Sequence, residues 1–352
     1  MRNSSAATVI PGRYIHHIDH LVPLSIGLNI PIVVSDKEIA LLIKQFYPPI
    51  DLIHIHIINI PKFLLCSYKM IITCLPNPLI RRMMFLEEIS TKKTIKNIWC
   101  PHGNSDKGYS CKLIEALHQE RYAIAYGKQM VKLFKEKNLK NFKHIFIVGN
   151  YRKQHYLKHK SFYQRKIPSI FFSKGKTNIL YAPTWEDSEG SSSFEKMIYS
   201  LIKAVPDNCN LIVKIHPNQL ESENIGDAFL SKINHRSNVF FIENTPLIYP
   251  LLDHSDIYLG DMSSIGYDFL SFKRPMFFFN VKDRDQKKDK GLKLTKCGLL
   301  IKQGNLQALK AIFSYPKSEE FDKIQKGTYD EAFSLNANLD ELNRFLGHNN
   351  EA

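Results

Sequence analysis

The sequence predicts an α/β fold of two Rossmann-like domains facing a central cleft. Three observations carry that expectation. The chain has 352 residues, long for one domain and suited to two. Short apolar runs alternate with helically spaced segments in both halves. Polar clusters directly follow several of those runs, where parallel sheets place their sites. The expected division is 1–165 for an N-terminal Rossmann-like domain, 166–335 for a C-terminal one, and 336–352 for a terminal helix or tail.

In chain order, residues 16–35 read as a helix of about two to three turns, a Gly-Leu-Asn break, and a β-branched strand ending at Val34. Further strand-like runs lie at 52–60, 70–74, 97–100 and 144–148, and the spacing predicts a helix over 112–137. Residues 151–177 are basic and aromatic without strand period, which suits a connection between domains. The alternation then resumes with strands at 178–182, 211–215 and 239–242 and helices at 194–205 and near 247–252. A strand–turn–helix–strand unit follows at 256–280, and 317–345 is polar with helical stretches expected to pack back on the first domain.

The formal charge of +14 points to an anionic partner: phosphate, nucleotide, acidic polymer or anionic membrane surface. Residues 128–166 hold Lys and Arg at twelve positions against the single acid Glu136, a run that most simply forms a solvated face. The six cysteines show no C-x-x-C spacing, which argues against a zinc site or a disulfide scaffold and fits a reducing cytoplasm. No apolar run reaches bilayer-spanning length, so any membrane contact is expected to be peripheral.

Four polar clusters follow predicted strands. In Cys100-Pro-His-Gly-Asn-Ser-Asp-Lys-Gly108, the absence of Gly-Lys-Ser/Thr rules out a Walker A loop, while His102 beside Gly103 places an imidazole at a tight turn. Lys107 is a further acceptor-side cation in that loop. In Tyr181-Ala-Pro-Thr-Trp-Glu-Asp187, Pro183 stops the strand and releases Thr184. In Lys214-Ile-His-Pro-Asn218, Lys214 and His216 alternate onto one side of the strand. In Gly260-Asp-Met-Ser-Ser264, the turn before a helix offers amides and the hydroxyls of Ser263 and Ser264 to an anion, with Asp261 and Asp268 beside it. For each cluster the plain alternative is a structural loop, or a helix cap in the last case. His17, Asp19 and His20 form a fifth candidate group, able to bind a metal or an acceptor hydroxyl or simply to be solvated residues at a helix start.

The order of these motifs (His-Gly after an apolar strand, Tyr-Ala-Pro-Thr-Trp, Lys-x-His-Pro, then Gly-Asp-x-Ser-Ser-x-x-x-Asp-Phe-Leu before Lys-Arg-Pro) resembles the CDP-glycerol glycerophosphotransferase family. These are the primases and polymerases of teichoic-acid-like polymers. The resemblance is specific over about 95–280. It implies a GT-B fold with the nucleotide held mainly by the C-terminal domain. His102 would be the catalytic base or acceptor-activating residue and His216 a donor-phosphate ligand. Asp261, Ser263 and Ser264 would hold the pyrophosphate, with Asp268 the following acid. The family often places Arg after Tyr-Ala-Pro-Thr-aromatic where this chain has Glu186, which leaves the donor's identity open.

The implied reaction moves an alditol-phosphate from a CDP-linked donor to a hydroxyl of a phosphorylated or lipid-linked acceptor. The expected site is the inner face of the cell membrane, with no metal and no cofactor. The chain is short for a full polymerase, which favours a single-transfer enzyme. The alternatives are a nucleotide-sugar glycosyltransferase or epimerase of the same fold, and a non-catalytic polyanion or nucleic-acid binder. Against the last, the sequence lacks a helix-turn-helix cue, an RNP-like aromatic stripe and a zinc finger.

Overall fold

The structure is a computed structural model describing residues 4–106, 112–166, 175–185, 190–216, 219, 236–243, 245–302, 309–310, 312–313 and 318–347. The chain divides into two compact units. The first comprises Met1–Asn104, Lys112–Tyr163 and Asp330–Ala352, and the second Ser105–Cys111 and Gln164–Tyr329.

The first unit is built on a seven-stranded parallel sheet. Its strands are β1 (Ala6–Ile10), β2 (Ile32–Val34), β3 (Leu52–His54), β4 (Met70–Thr73), β5 (Lys96–Trp99), β6 (Tyr122–Ala125) and β7 (His144–Ile147). The order β3-β2-β1-β4-β5-β6-β7 reverses direction between β1 and β4, the kind of switch point beside which open α/β sheets bind ligands. The helices are α1 (Ile15–Leu28), α2 (Lys37–Phe46), α3 (Ile60–Ser67), α4 (Asn77–Thr91), α5 (Lys128–Glu136), α6 (Tyr151–Lys158) and α7 (Lys160–Gln164). One core cluster joins Ala7, Val9, Val33 and Ile71 of the sheet to Ile60 and Leu64 of α3 and Ile80 and Met84 of α4.

Several elements differ from the sequence expectation. β1 is fully buried and central, yet Ala-Ala-Thr-Val-Ile has too little apolar bulk to signal a strand. α1 runs four turns rather than two to three, ending at Asn29 in the left-handed region. The expected helix over 112–137 is a 3₁₀ segment at Lys112–Gln119, then β6, then α5. Tyr-Ala-Ile-Ala lacks a strand pattern and becomes one by pairing between β5 and β7. The expected run 52–60 holds only the short β3, after which Ile57–Asn59 coil into a 3₁₀ turn and Ile60 opens α3. The connecting stretch from Tyr151 begins as α6 and α7.

The second unit repeats the plan with six parallel strands: β8 (Thr177–Ala182), β9 (Cys209–Lys214), β10 (Val239–Ile242), β11 (Ile257–Gly260), β12 (Met276–Asn280) and β13 (Leu299–Lys302). The order β10-β9-β8-β11-β12-β13 puts the switch point between β8 and β11. Helix α8 (Phe194–Ala204) supplies Phe194, Met197, Ile198 and Leu201 to a core against Ile179, Tyr181, Leu211 and Val213. Helices α9 (Tyr249–Asp253) and α10 (Ile265–Phe269) flank β11, and α10 continues as a 3₁₀ turn through Phe272.

The C-terminal helices α11 (Glu319–Phe333) and α12 (Asp340–Phe345) carry the chain from the second unit into the first, where it docks through two glycines. A Cβ on Gly127 would stand 2.5 Å from the Ala332 carbonyl oxygen, and one on Gly149, at φ +66°, 2.6 Å from that of Ala337. The Asn104 side-chain amide donates to the Ala332 carbonyl, and the Lys128 amide to Ser334 Oγ.

Candidate functional site

In the second unit the site is built by register. Gly260, the last residue of β11, pairs with Ala182, the last of β8. Asp261 therefore emerges level with Pro183, and its carboxylate meets the backbone of the next loop. Oδ1 accepts from the Thr184 amide at 2.8 Å, while Oδ2 accepts from the Ser193 amide and hydroxyl, each at 2.8 Å. Asp261 is fully buried. A buried carboxylate holding three donors is a clasp: it fixes the loop after β8 to the start of α8 rather than facing a ligand. Ser192 Oγ adds a bond to the Thr184 carbonyl, and Tyr181 Oη pairs with Ser193 Oγ at 2.8 Å.

The same structural use claims Asp268, which accepts a hydrogen bond from Tyr249 Oη at 2.9 Å and is buried. Ser263 is buried as well. Ser264 sits at the N-cap of α10, half-buried, and its hydroxyl makes no capping bond. Lys214, at the end of β9, is buried with Nζ 3.4 Å from the Ile215 carbonyl. His216 is half-buried, its ring 6.2 Å from that of Trp185, so the loops after β8 and β9 meet through these two aromatics. Thr184, His216, Ser263 and Ser264 thus follow three adjacent strands, β9, β8 and β11, at their carboxyl ends.

The first unit brings a different group together. His102 follows β5, and its ring centroid lies 5.6 Å from that of His16 and 5.8 Å from that of His17, both on the first turn of α1. The His16 and His17 rings are 4.3 Å apart, and Tyr14 stacks on His17 at 4.9 Å. Burial, then repulsion from His102, pushes His16 down to about 3. Burial, then His16 and His102, holds His17 well below the usual histidine range. Desolvation by the surrounding protein also lowers His102, although the residue is exposed at the surface. Three neutral imidazoles in contact form a proton-accepting cluster, not a cationic one. Sequence reasoning paired His17 with His20 and passed over His16; the adjacent His16-His17 doublet at a helix start was the available signal.

His20 points to another task. Its Nδ1 is hydrogen-bonded to Tyr126 Oη at 2.6 Å, and the same hydroxyl lies 3.2 Å from the Pro101 carbonyl. Tyr151 stacks on Tyr126 and donates to the His20 carbonyl at 3.0 Å. This buried network holds the peptide that leads into His102. Asp19 is committed as well: it pairs with buried Arg152 and accepts from Tyr47 Oη at 3.0 Å. Arg152 accordingly does not belong to the solvated basic face expected over 128–166. Lys107, Glu186 and Asp187 lie outside the described residues. Among the described residues, no group of three His, Cys, Asp or Glu side chains is placed to hold a metal.

Residues 94–295 match the family described as CDP-glycerol:poly(glycerophosphate) glycerophosphotransferase, a span that contains His102, Thr184, His216 and the Asp261 turn. The chain belongs to this family. It is similar to the teichoic acid poly(glycerol phosphate) polymerase of Bacillus spizizenii, at 28% identity over 187 residues, 50% of this chain and 45% of that one. The chain thus aligns with less than half the length of that relative. Among solved structures it resembles a histidine-to-asparagine variant of the wall teichoic acid polymerase TagF soaked with CDPG. The TM-score is 0.68 at 14% identity, covering 99% of this chain and 88% of that one. The UDP-GlcNAc 2-epimerase of Methanocaldococcus jannaschii aligns with a TM-score of 0.59 at 14% identity, over 97% and 99% of the two chains. At these identities the likeness is one of fold: two parallel α/β sheets of the GT-B kind.

Proposed function

We propose that the protein transfers a glycerol-phosphate, or a related alditol-phosphate, from a CDP-linked donor to an acceptor hydroxyl in the synthesis of a teichoic-acid-like surface polymer. The observation that most supports this reading is the family match itself, which spans both the His102 loop and the loops tied together by Asp261. In this reading the acceptor oxygen attacks the glycerol-bearing phosphorus, the bond from that phosphorus to the bridging oxygen breaks, and CMP leaves. Neutral His102 takes the acceptor's proton, a role its lowered pKa keeps open at neutral pH.

In the second unit Thr184, His216, Ser264 and the turn amides offer hydrogen bonds to the donor's phosphates, where removing one such donor commonly costs about 3–4 kcal/mol of transition-state stabilisation. Asp261 and Asp268 shape that surface without touching the ligand. The acceptor is phosphorylated or lipid-linked, and the reaction takes place on the cytoplasmic side, at the inner face of the cell membrane.

A melting-shift panel of CDP-glycerol, CDP-ribitol, CDP, UDP-GlcNAc and CMP-sugars tests the donor. A nucleotide at about a hundred times its Kd stabilises by about 2.7 kcal/mol. The reading expects the CDP conjugates to raise the melting temperature; a rise with UDP-GlcNAc alone would replace the donor class with a nucleotide sugar.

A further inference from the structure

The carboxyl edge of the first sheet gathers imidazoles at the mouth of a helix. α1 follows β1, a strand at the switch point, and His102 follows β5, two strands away in the same parallel sheet. α1 is 14 residues long, its first turn holds no acid, and Tyr14 at its N-cap makes no side-chain capping bond. Such a helix start presents amides without intrahelical partners and the positive end of the helix dipole. His17 is a second, independent observation. It is 3% exposed, and its Nδ1 has no hydrogen-bond partner among the described residues, although a buried polar atom ordinarily has one. Its ring neighbours include Tyr14 at the N-cap, His16 on the same turn and His102 on the next loop, at 4.9, 4.3 and 5.8 Å, which sets it at the helix mouth.

The charges around these imidazoles decide what they take. On α6, which packs on α1, Arg152 is paired with Asp19, and His155 is hydrogen-bonded to Tyr163. On α2, Glu38 pairs with exposed Arg13 at 2.8 Å, and Asp36 caps its own helix. His20, further along α1, is bound to Tyr126. The acids of this neighbourhood are thus engaged by arginines and a helix end, while burial and mutual repulsion keep His16 and His17 neutral. An anion set among the rings reverses both effects, because its charge offsets the burial of an imidazolium and the repulsion between rings. The site therefore binds negative charge and takes up a proton as it does so.

We infer that the mouth of α1 is the subsite for a phosphate group of the acceptor: His16, His17 and the first turn of α1 hold its oxygens, and the hydroxyl of the glycerol attached to it reaches His102. The ring separations of 5.6 and 5.8 Å from His16 and His17 to His102 suit a three-carbon spacer between the phosphate and the attacking hydroxyl. The acceptor's part rests on the transfer reading; the binding of a phosphodiester at α1 is measurable without it.

Isothermal titration of the full chain with glycerophosphoglycerol, two glycerols joined through one phosphodiester, tests the subsite, with glycerol as the uncharged control. The diester keeps one negative charge between about pH 6 and 8, so a pH dependence in that range belongs to the protein. The expected result is binding of the diester alone, weakening by up to about tenfold per pH unit as pH rises, since the bound form carries one more proton. His16→Gln and His17→Gln should each lower diester affinity about tenfold or more and flatten its pH dependence. In acceptor-dependent CMP release, each should raise the acceptor KM by a similar factor while kcat and CDP-glycerol affinity stay within about threefold. His16 is half-buried, so its variant should melt near the unaltered chain even if the buried His17 does not tolerate the change. No binding of the diester, equal binding of glycerol, displacement of the diester by CDP, or unchanged diester affinity in His16→Gln would each overturn the inference, the displacement by giving the site to the donor. Diester binding as expected without any transfer would refute the transfer reading and leave the subsite standing.

Discussion

Replacing Asp261 by asparagine probes the clasp on which the donor-side surface depends. The carboxylate accepts from the Thr184 amide at one oxygen and from both Ser193 groups at the other. Asparagine has one carbonyl oxygen, so one side must present an NH₂ to an N–H donor. If the oxygen keeps Ser193, the Thr184 amide loses its acceptor and faces another donor in a buried site. A lost hydrogen bond to a charged group amounts to about 1.5–3 kcal/mol, and the stranded amide adds a desolvation cost of similar size. A net loss of about 3 kcal/mol is expected, or a fall of about 6–12 °C in melting of the second unit. Calorimetry reads the melting, and hydrogen exchange at the Thr184 and Ser193 amides reads the clasp locally. CDP-glycerol affinity should fall at least tenfold, because Thr184 is no longer held. Melting within about 1 °C of the unaltered chain, with unchanged exchange at both amides, would refute the role given to Asp261.

Other expectations follow from the first unit and its titrating groups. Tyr126→Phe removes the bond to the Pro101 carbonyl and should lower kcat about tenfold or more with little change in KM, since it loosens the peptide before His102. Arg152→Ala strands buried Asp19 and should cost about 3–5 kcal/mol in denaturant unfolding. Glu120 is fully buried, and burial raises its pKa from 4.5 to about 7. It holds its proton in the folded chain where the unfolded chain has released it. The penalty for ionising it in the folded chain is therefore absent below pH 4.5 and grows as pH rises to 7. Measured by urea unfolding, Glu120→Gln should gain on the unaltered chain by up to about 3 kcal/mol between pH 4.5 and pH 8. The histidines act in the opposite sense. His16, held at about 3, leaves the unfolded chain binding more protons between about pH 3 and 6.5, so its contribution to stability is lost as pH falls through that window.

Both parallel sheets were legible because their strands are short apolar runs set between turn residues, and the polar clusters after them marked the strand ends. β1 and β6 were not, because Ala-Ala-Thr-Val-Ile and Tyr-Ala-Ile-Ala owe their strand state to neighbours in the sheet, and the edge strand β13, Leu-Leu-Ile-Lys, was passed over as well. The site was legible as positions and less so as roles. Asp261, Asp268 and Asp19 stood out as carboxylates at or near the starts of helices, yet each is buried and satisfied by partners distant in sequence: Thr184 and Ser193, Tyr249, and Arg152 with Tyr47. No local pattern announces such a pairing. The contact of His16 and His17 with His102 joins residues more than eighty positions apart and likewise appears only in the folded chain.

Acceptor-dependent release of CMP from CDP-glycerol, followed in parallel for the unaltered chain and His102→Ala, tests the proposed transfer most directly. Glycerol-phosphate should appear on the acceptor in step with CMP. The variant should show a fall of about a hundredfold or more, with CDP-glycerol affinity held within about threefold. Transfer by His102→Ala at the unaltered rate, or no CMP release with any phosphorylated or lipid-linked acceptor, would contradict it.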